Sequence, residues 1–219
     1  MAKGKKISRK ELLKKPDEFI TLSSRIINWV RDHLSQTIWI VSGVVFLGMI
    51  YFGYSAYQNR QERQAHEKFF SIMELPDLET KIKKLEEIGK DFSGTKAAFD
   101  AQVTVGHLYY QKKDYNRAAV AYQTALDKGN FPQVFRPLIQ ESLGYALEQK
   151  GDLQQAAKVF SEITGSKETL LKEDVFLSLA RVYEKMKKTA EAKSTYQAFL
   201  KSFPKSIYAS MVKERLARM

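Results

Sequence analysis

Apolar positions follow three patterns along the chain, and each pattern predicts a different kind of helix. Residues 17–34 place apolar side chains at helical spacing, residues 37–57 are almost continuously apolar, and residues 58–219 return to helical spacing in similar blocks. Five prolines and eleven glycines among 219 residues leave long uninterrupted stretches, which favours helices over an all-β sandwich. The patterns therefore predict an all-α protein.

The continuous apolar segment has the length of a transmembrane helix. It reads TIWIVSGVVFLGMIYFGYSAY, and no Asp, Glu, Lys or Arg occurs between Asp32 and Arg60. In an α-helix these residues rise about 31 Å, which matches the hydrocarbon core of a bilayer. Aromatic rings stand near both ends, as in an aromatic belt: Trp39, Tyr51, Tyr54 and Tyr57.

Two other interpretations of residues 37–57 stay open, namely a cleaved signal peptide and a buried helix of a soluble core. Gly53-Tyr54-Ser55 resembles a cleavage site of small residues. However, the apolar region of a signal peptide is usually about 7–15 residues long, and this one is longer and follows 36 other residues. A retained anchor is the favoured interpretation.

The short segment before the apolar stretch determines the predicted orientation. Residues 1–36 carry nine Lys or Arg and four acids, and short basic tails stay on the cytoplasmic side. The charges of a long domain weigh little, because such domains translocate largely regardless of charge. We therefore expect a cytoplasmic N-terminus and a C-terminal domain across the membrane.

Residues 17–34 predict an amphipathic helix that lies in the membrane interface. The lysines and arginines before it would be attracted to anionic lipid, at about 1 kcal/mol each near the surface. Nucleic-acid binding by these residues is the weaker alternative, because they lie next to a bilayer. One side of the helix is apolar: Phe19, Ile20, Leu22, Ile26, Ile27, Trp29 and Val30. The other side is polar: Thr21, Ser24, Arg25, Asn28, Arg31 and Asp32.

The remaining residues, 58–219, contain three similar blocks. Residues 105–126 read VGHLYYQKKDYNRAAVAYQTAL, residues 143–164 read LGYALEQKGDLQQAAKVFSEIT, and residues 179–200 read LARVYEKMKKTAEAKSTYQAFL. Each block has a small residue near its start, an alanine twelve positions on and an aromatic residue four positions later. The three sets are Gly106, Ala118 and Tyr122; Gly144, Ala156 and Phe160; and Ala180, Ala192 and Tyr196.

This spacing predicts pairs of antiparallel helices. Two helices approach closely only where their side chains are small, so each helix of a pair carries one glycine or alanine at the contact. The aromatic residue lies one turn further on the same face, and we expect it to fill the gap toward the next pair.

The blocks resemble a tetratricopeptide repeat (TPR) array, whose usual unit is about 34 residues. The resemblance covers residues 97–204 and implies an α-solenoid. It departs from the family because the repeats are longer, and because Ile163 and Phe199 replace a small residue. The predicted divisions of the chain are a tail (1–36), a transmembrane helix (37–57) and a TPR-like domain (58–219). The domain is predicted to contain a leading hairpin (60–92, broken at Pro76), three repeats (99–132, 137–170 and 173–206) and a cap (205–218). In the cap, we expect three side chains to face inward: Ile207, Met211 and Leu216.

A basic tail, one span and a short TPR domain together resemble the YfgM-type ancillary subunits of the bacterial Sec translocon. The resemblance implies a single-pass protein of the inner membrane with its TPR domain in the periplasm. It also implies contacts with the translocon, a membrane-anchored periplasmic chaperone and secreted chains. TPR lipoproteins of outer-membrane assembly have a similar C-terminal sequence, but this chain has no cysteine to carry a lipid.

Catalytic chemistry has no support in the sequence. The chain has no cysteine and three histidines far apart, and the motifs HExxH and GxSxG are missing. Gly94-Thr95-Lys96 only mimics a phosphate-binding loop, because its Thr and Lys are in the wrong order and no strand precedes it. We predict no enzyme activity, cofactor or metal.

Binding to proteins is the function that remains. In TPR arrays the first helix of each pair lines a concave groove, and the heat-shock-protein clamp of the family would need Lys and Asn where Val103 and His107 stand. The net charge is +11, and we predict protein partners and no nucleic acid. The predicted groove residues are Val103, His107, Tyr110, Glu141, Tyr145, Glu148, Leu177, Arg181 and Glu184.

Three functional hypotheses follow. The first is a membrane-anchored interaction protein at the Sec translocon, which binds periplasmic chaperones, the translocon or secreted polypeptides. The second is an envelope organiser that tethers division or cell-wall machinery. The third is a mitochondrial outer-membrane receptor whose TPR domain faces the cytosol. Orientation separates the third hypothesis from the others, and partner identity separates the first two.

Overall fold

The computed structural model describes residues 18–166 and 172–219, and the regular structure of these residues is helical without a strand. The chain divides between Tyr57 and Gln58 into two units. Residues 1–17, which hold seven of the nine basic residues of the predicted tail, lie outside the described residues, as does the end of the predicted second repeat at 167–170. The predicted all-α fold class is confirmed.

The first unit contains helix α1 (Glu18–Asp32) and the beginning of helix α2 (Leu34–Met73). The N-terminal part of α2 is long and apolar enough to cross a membrane. No residue of the segment 37–57 is buried, and Trp39 is 79% exposed. Among the described residues there is therefore one candidate spanning helix, and it lies at the predicted place.

The second unit begins with the C-terminal part of α2 and continues through eight further helices of the described chain. The Glu62 carboxylate accepts hydrogen bonds from the backbone N–H groups of Lys96 (2.9 Å) and Ala97 (3.2 Å), where α4 begins. Each helix from α3 to α9 packs against the next, which confirms a TPR-like solenoid. The helices are α3 (Leu78–Asp91), α4 (Lys96–Gln111), α5 (Tyr115–Lys128), α6 (Arg136–Lys150), α7 (Leu153–Gly165), α8 (Lys172–Lys185), α9 (Thr189–Ser202) and α10 (Ala209–Ala217).

One left-handed residue stands in the turn after the first helix of each repeat. Gly151 has φ 90°, and at the equivalent positions Lys113 has φ 61° and Lys187 has φ 59°. A side chain in this conformation costs about 1 kcal/mol relative to glycine. Two of the three turns therefore keep the backbone geometry of the glycine turn without a glycine.

A glycine faces an aromatic ring closely inside two helix pairs, α4 with α5 and α6 with α7. A Cβ atom on Gly106 would lie 2.6 Å from the Tyr122 ring, and one on Gly144 would lie 2.5 Å from the Phe160 ring. The ring therefore fills space inside its own helix pair, whereas the sequence predicted that it faces the next pair. The alanines predicted at the helix contacts are fully buried: Ala118, Ala156 and Ala192.

The C-terminal cap differs from its prediction. Ile207 is 86% exposed and Met211 is 38% exposed, so neither faces inward as predicted. The helix begins only at Ala209, which leaves Ile207 in the preceding turn. Its inward face consists of Ala209, Val212 and Leu216, spaced three and four residues apart as one face of a helix requires.

The buried alanines provide a test of this packing. We expect Ala156→Leu in the fragment 58–219 to lower the free energy of unfolding by about 1–3 kcal/mol, because no space exists for the added atoms. Thermal melting measures the effect. Lys158→Leu, on the exposed side of the same helix, is the control and should change stability by less than about 0.5 kcal/mol. Equal melting curves for both variants would contradict the assigned contact.

Candidate protein-binding groove

The nine predicted groove residues lie on the first helices of the three repeats. Val103, His107 and Tyr110 belong to α4; Glu141, Tyr145 and Glu148 belong to α6; Leu177, Arg181 and Glu184 belong to α8. The structure joins the residues of α6 and α8 by direct hydrogen bonds. The residues of α4 make their hydrogen bonds and ring contacts within their own helix pair.

Glu148 is the centre of the α6–α8 contact. Its side chain is only 1% exposed. Arg181 donates through Nε to Oε1 (2.9 Å) and through a terminal nitrogen to Oε2 (2.8 Å), which is the bidentate geometry that guanidinium favours. The Nζ atom of Lys185 lies 2.8 Å from Oε1. One buried carboxylate is therefore held by two cations of the following repeat.

These bonds keep Glu148 ionised. Burial acts to raise the pKa of Glu148, but the hydrogen bonds from Arg181 and Lys185 outweigh burial and hold the pKa below its ordinary value. Because the carboxylate is buried, a partner in the groove would meet Arg181, which is half-exposed, rather than Glu148 itself. Glu148 is thus a positioning residue for the surface cations.

A second set of hydrogen bonds joins the same two helices through Tyr145. Its hydroxyl donates to Glu141 Oε1 (2.9 Å) and accepts from Ser178 Oγ (3.2 Å). Burial raises the pKa of Tyr145 to about 12. Burial also raises the pKa of Glu141, against the lowering effect of the Tyr145 hydrogen bond. The phenol is therefore a neutral link in the floor of the groove, and its ring packs against Phe160 at 5.5 Å.

The last predicted residue, Glu184, extends these contacts to the cap. Tyr196 donates to Glu184 Oε1 (3.1 Å), and Arg215 of α10 donates to Oε2 (3.2 Å). Leu177 packs with the apolar cluster under the same helices. Polar side chains thus link the first helices of successive repeats all the way from α6 to α10.

On α4 the predicted residues differ in their accessibility. His107 is exposed, and its Nδ1 atom lies 2.7 Å from the Tyr122 hydroxyl. Burial of the ring's inner side lowers the pKa of His107, which favours a neutral imidazole. Tyr110 is half-buried with its ring 5.2 Å from that of Tyr115, and Val103 packs partly on the core.

An apolar cavity continues the groove at the N-terminal ends of α4 and α6. It measures about 340 Å³ and adjoins a short 3-10 turn, Gln133–Phe135. Phe99 and Phe131 stack at 4.3 Å in its wall. The exposed side chains of Phe135 and Leu138 form its rim. Sequence reasoning missed this end of the groove, although the extra length of the first repeat was its signal.

A larger open cavity, about 680 Å³, lies between α3, α4 and α5. Val105 and Tyr109 form part of its floor, and the Arg117 guanidinium lies 4.4 Å from the centre of the Tyr109 ring. The Tyr109 hydroxyl donates to Glu86 at 2.8 Å. Two of the three helices that line this cavity, α3 and α5, are second helices of their pairs, and none of the nine predicted groove residues lines it.

Comparisons with known proteins agree with this architecture. The family model described as a tetratricopeptide repeat-like domain matches residues 28–219. The crystal structure of nearly identical TPR-like repeats from a putative kinesin light chain of Podosopora anserina is 15% identical in sequence, with a TM-score of 0.51. The match covers 73% of this chain and 83% of that chain, and a variant of the same repeats gives the same values. The comparison with curated proteins gave no match.

The buried carboxylate predicts a specific dependence of stability on pH. Because the pKa of Glu148 is lower in the folded state, its stabilising effect is present at neutral pH and is lost as the pH falls below about 4.5. We expect Glu148→Gln to reduce the free energy of unfolding of fragment 58–219 by about 2 kcal/mol at neutral pH. The difference from the unsubstituted protein should shrink in acid.

Denaturant unfolding at several pH values measures this difference. The exposed Glu87, substituted by Gln, is the matched control and should change stability by less than about 0.5 kcal/mol at every pH. A Glu148→Gln difference that is constant with pH would show that the ionised carboxylate does not hold the two repeats together.

Proposed function

Since the chain belongs to the family of tetratricopeptide repeat-like domains, we propose that it is a membrane-anchored interaction scaffold of the bacterial cell envelope. Its repeats bind periplasmic chaperones, the translocon or secreted polypeptides at the Sec translocon. The observation that carries the proposal is an apolar helical segment without a buried residue, in a chain whose other unit is a TPR-like solenoid. Such solenoids are typically non-catalytic binding proteins.

The exposed apolar segment supports a membrane anchor. Soluble monomers rarely leave a contiguous apolar patch larger than a few hundred Å² in contact with water. Residues 37–57 expose large side chains on every side, including Phe46, Leu47, Tyr51 and Phe52. A bilayer covers all sides of such a helix at once, whereas a protein partner covers one. The basic residues before the span favour an N-terminus in the cytoplasm and repeats in the periplasm.

The groove on the first helices is the proposed binding surface. At one end Arg181 and Glu141 offer charges beside Tyr145, and Glu184 lies further along α8 with Tyr196 and Arg215. At the other end the cavity beside Phe135 and Leu138 offers apolar contact. An amphipathic groove of this kind suits extended polypeptide of varied sequence, because aromatic and polar side chains together tolerate different ligands. Glu148 acts from below by fixing Arg181.

The resemblance to YfgM-type subunits supports the Sec translocon as the site of action. The envelope-organiser hypothesis uses the same anchor and groove but predicts division or cell-wall proteins as partners. The mitochondrial receptor hypothesis predicts repeats on the cytosolic side. The two experiments below separate these hypotheses.

The orientation can be tested with protease and an epitope tag on the N-terminus. In bacterial spheroplasts, added protease should digest residues 58–219 and leave a short tagged fragment, because only the domain beyond the span is accessible. Lysed spheroplasts, in which the tag is also lost, provide the control for protease activity. A C-terminal domain that resists protease until lysis would reverse the orientation and remove the periplasmic function.

The binding surface can be tested with photo-crosslinking amino acids in living cells. We expect probes at His107, Tyr110 and Phe135 to capture translocon components, periplasmic chaperones or secreted chains several-fold more often than a probe at Lys158, which is exposed on a second helix. Mass spectrometry identifies the captured proteins, and melting curves confirm that each variant is folded.

A probe at Val120, 67% exposed beside the larger cavity, distinguishes the two faces of the solenoid. Stronger capture at Val120 than at the groove positions would assign binding to the second helices. Capture limited to division or cell-wall proteins would favour the envelope organiser over the translocon hypothesis.

A further inference from the structure

We propose that helix α1 is a lipid-binding element that lies in the cytoplasmic interface of the membrane and recognises anionic phospholipid headgroups. This inference rests on the membrane span of the proposed function, but it assigns a separate binding role to residues before the span. It requires an apolar face without a protein partner, cations at the borders of that face, and a joint that connects the helix to the span at the level of the interface.

The first requirement is met by three large side chains of α1. Ile26 is 56% exposed, Ile27 is 59% exposed and Trp29 is 50% exposed. At about 100° per residue the three belong to one apolar arc of the helix. An amphipathic helix with such an arc buries it about 5–10 Å into the boundary between headgroups and acyl chains.

The second requirement is met by two arginines. Arg25 lies at one border of the apolar arc and Arg31 lies at the opposite border, and both side chains are exposed. At these positions a guanidinium extends sideways to the headgroup layer while the apolar arc stays below it. Guanidinium donates two parallel hydrogen bonds to a phosphate. The pair therefore matches a layer of anionic phosphates on both sides of the helix.

For the third requirement the structure provides one break in the regular helix, at His33 between α1 and α2, where the His33 and Thr37 N–H groups still donate to the carbonyls four residues earlier. The Trp29 and His33 rings stack at 5.1 Å, and the Thr37 hydroxyl donates to the His33 carbonyl at 3.0 Å. Trp29 is thus held close to the first turn of α2, where the predicted span begins. Tryptophan favours this depth, the boundary between water and hydrocarbon.

A lipid surface explains these features better than a nucleic acid does. A nucleic acid would attract the cations of residues 1–36 but leave Ile26, Ile27 and Trp29 in water. An anionic membrane surface neutralises the cations and covers the apolar arc at the same time. We therefore assign anionic phospholipid as the ligand and treat a water-exposed α1 as the competing outcome.

Tryptophan fluorescence tests the inference in the full chain, which has two tryptophans. A Trp39→Phe variant leaves Trp29 as the reporter. It is reconstituted in nanodiscs of phosphatidylcholine alone or mixed with phosphatidylglycerol, with or without lipids brominated in the upper acyl chain. We expect bromine to quench Trp29, and acrylamide to quench it about threefold less than free indole. With phosphatidylglycerol, the quenching by bromine should be stronger and the protection from acrylamide should be greater.

A paired variant tests the arginines. Arg25→Gln combined with Arg31→Gln should make Trp29 more accessible to acrylamide in the phosphatidylglycerol discs. The same variant should change the accessibility of Trp29 little in phosphatidylcholine alone. Equal accessibility of Trp29 in both lipids, with no effect of the arginine variant, would overturn the recognition of anionic lipid. Acrylamide quenching as strong as that of free indole, without bromine quenching, would overturn the interfacial placement.

The reciprocal variant, Trp29→Phe, separates this inference from the proposed function. Its reporter, Trp39, lies inside the proposed span, and bromine should quench it in both lipids. If Trp39 is quenched and Trp29 is not, the span stands and the lipid-binding role of α1 fails. If neither tryptophan is quenched by bromine, the membrane anchor itself fails and the inference fails with it.

Discussion

The architecture depends on one steric constraint, the approach of an aromatic ring to a residue without a side chain. The Tyr122 ring lies 2.6 Å from the position that a Cβ of Gly106 would take, and the Phe160 ring lies 2.5 Å from that of Gly144, too close for a side chain. These contacts bring the two helices of the first two pairs together, Ala180 and Tyr196 pack in one cluster in the third pair, and the alanine of each second helix is buried. Because the pairs are alike, their first helices lie side by side, and only then does a groove across α4, α6 and α8 exist.

Successive repeats are also joined by ion pairs. Glu148 is bonded to Arg181 and Lys185, and Glu184 is bonded to Arg215, so ion pairs add to the apolar packing between α6, α8 and α10. A buried ion pair often adds little net stability over apolar side chains of similar volume, but moving one partner away leaves a buried charge unpaired at a large cost. These bonds therefore fix how one repeat is set against the next, and with it the positions of the groove's surface cations.

Sequence reasoning found the helices because their signals are local. Gly106, Ala118 and Tyr122 repeat at fixed spacing, and a span of apolar residues needs no tertiary contact to be recognised. The errors lie at residues whose environment is determined by residues far away in the sequence. Ile207 and Met211 were placed inward because the cap was assumed to begin earlier than Ala209. Glu148 is predicted to line the groove, but its carboxylate is buried and bonded to Arg181, 33 positions away, and the cavity beside Phe135 depends on how a loop folds back on α4.

Under the proposed function, a membrane anchor lowers the affinity that the groove needs for its partners. Its accessible surface combines half-exposed tyrosines, a few charges and one cavity of about 340 Å³, and such a surface favours breadth of ligands over tight binding. A membrane anchor raises the effective concentration of a partner in the same membrane toward the mM range, so weak contacts suffice there. Under the proposed function, the apolar part of α2 and the amphipathic groove are therefore complementary. The apolar part of α2 keeps the protein close to its partners, so the groove does not need a high affinity for them.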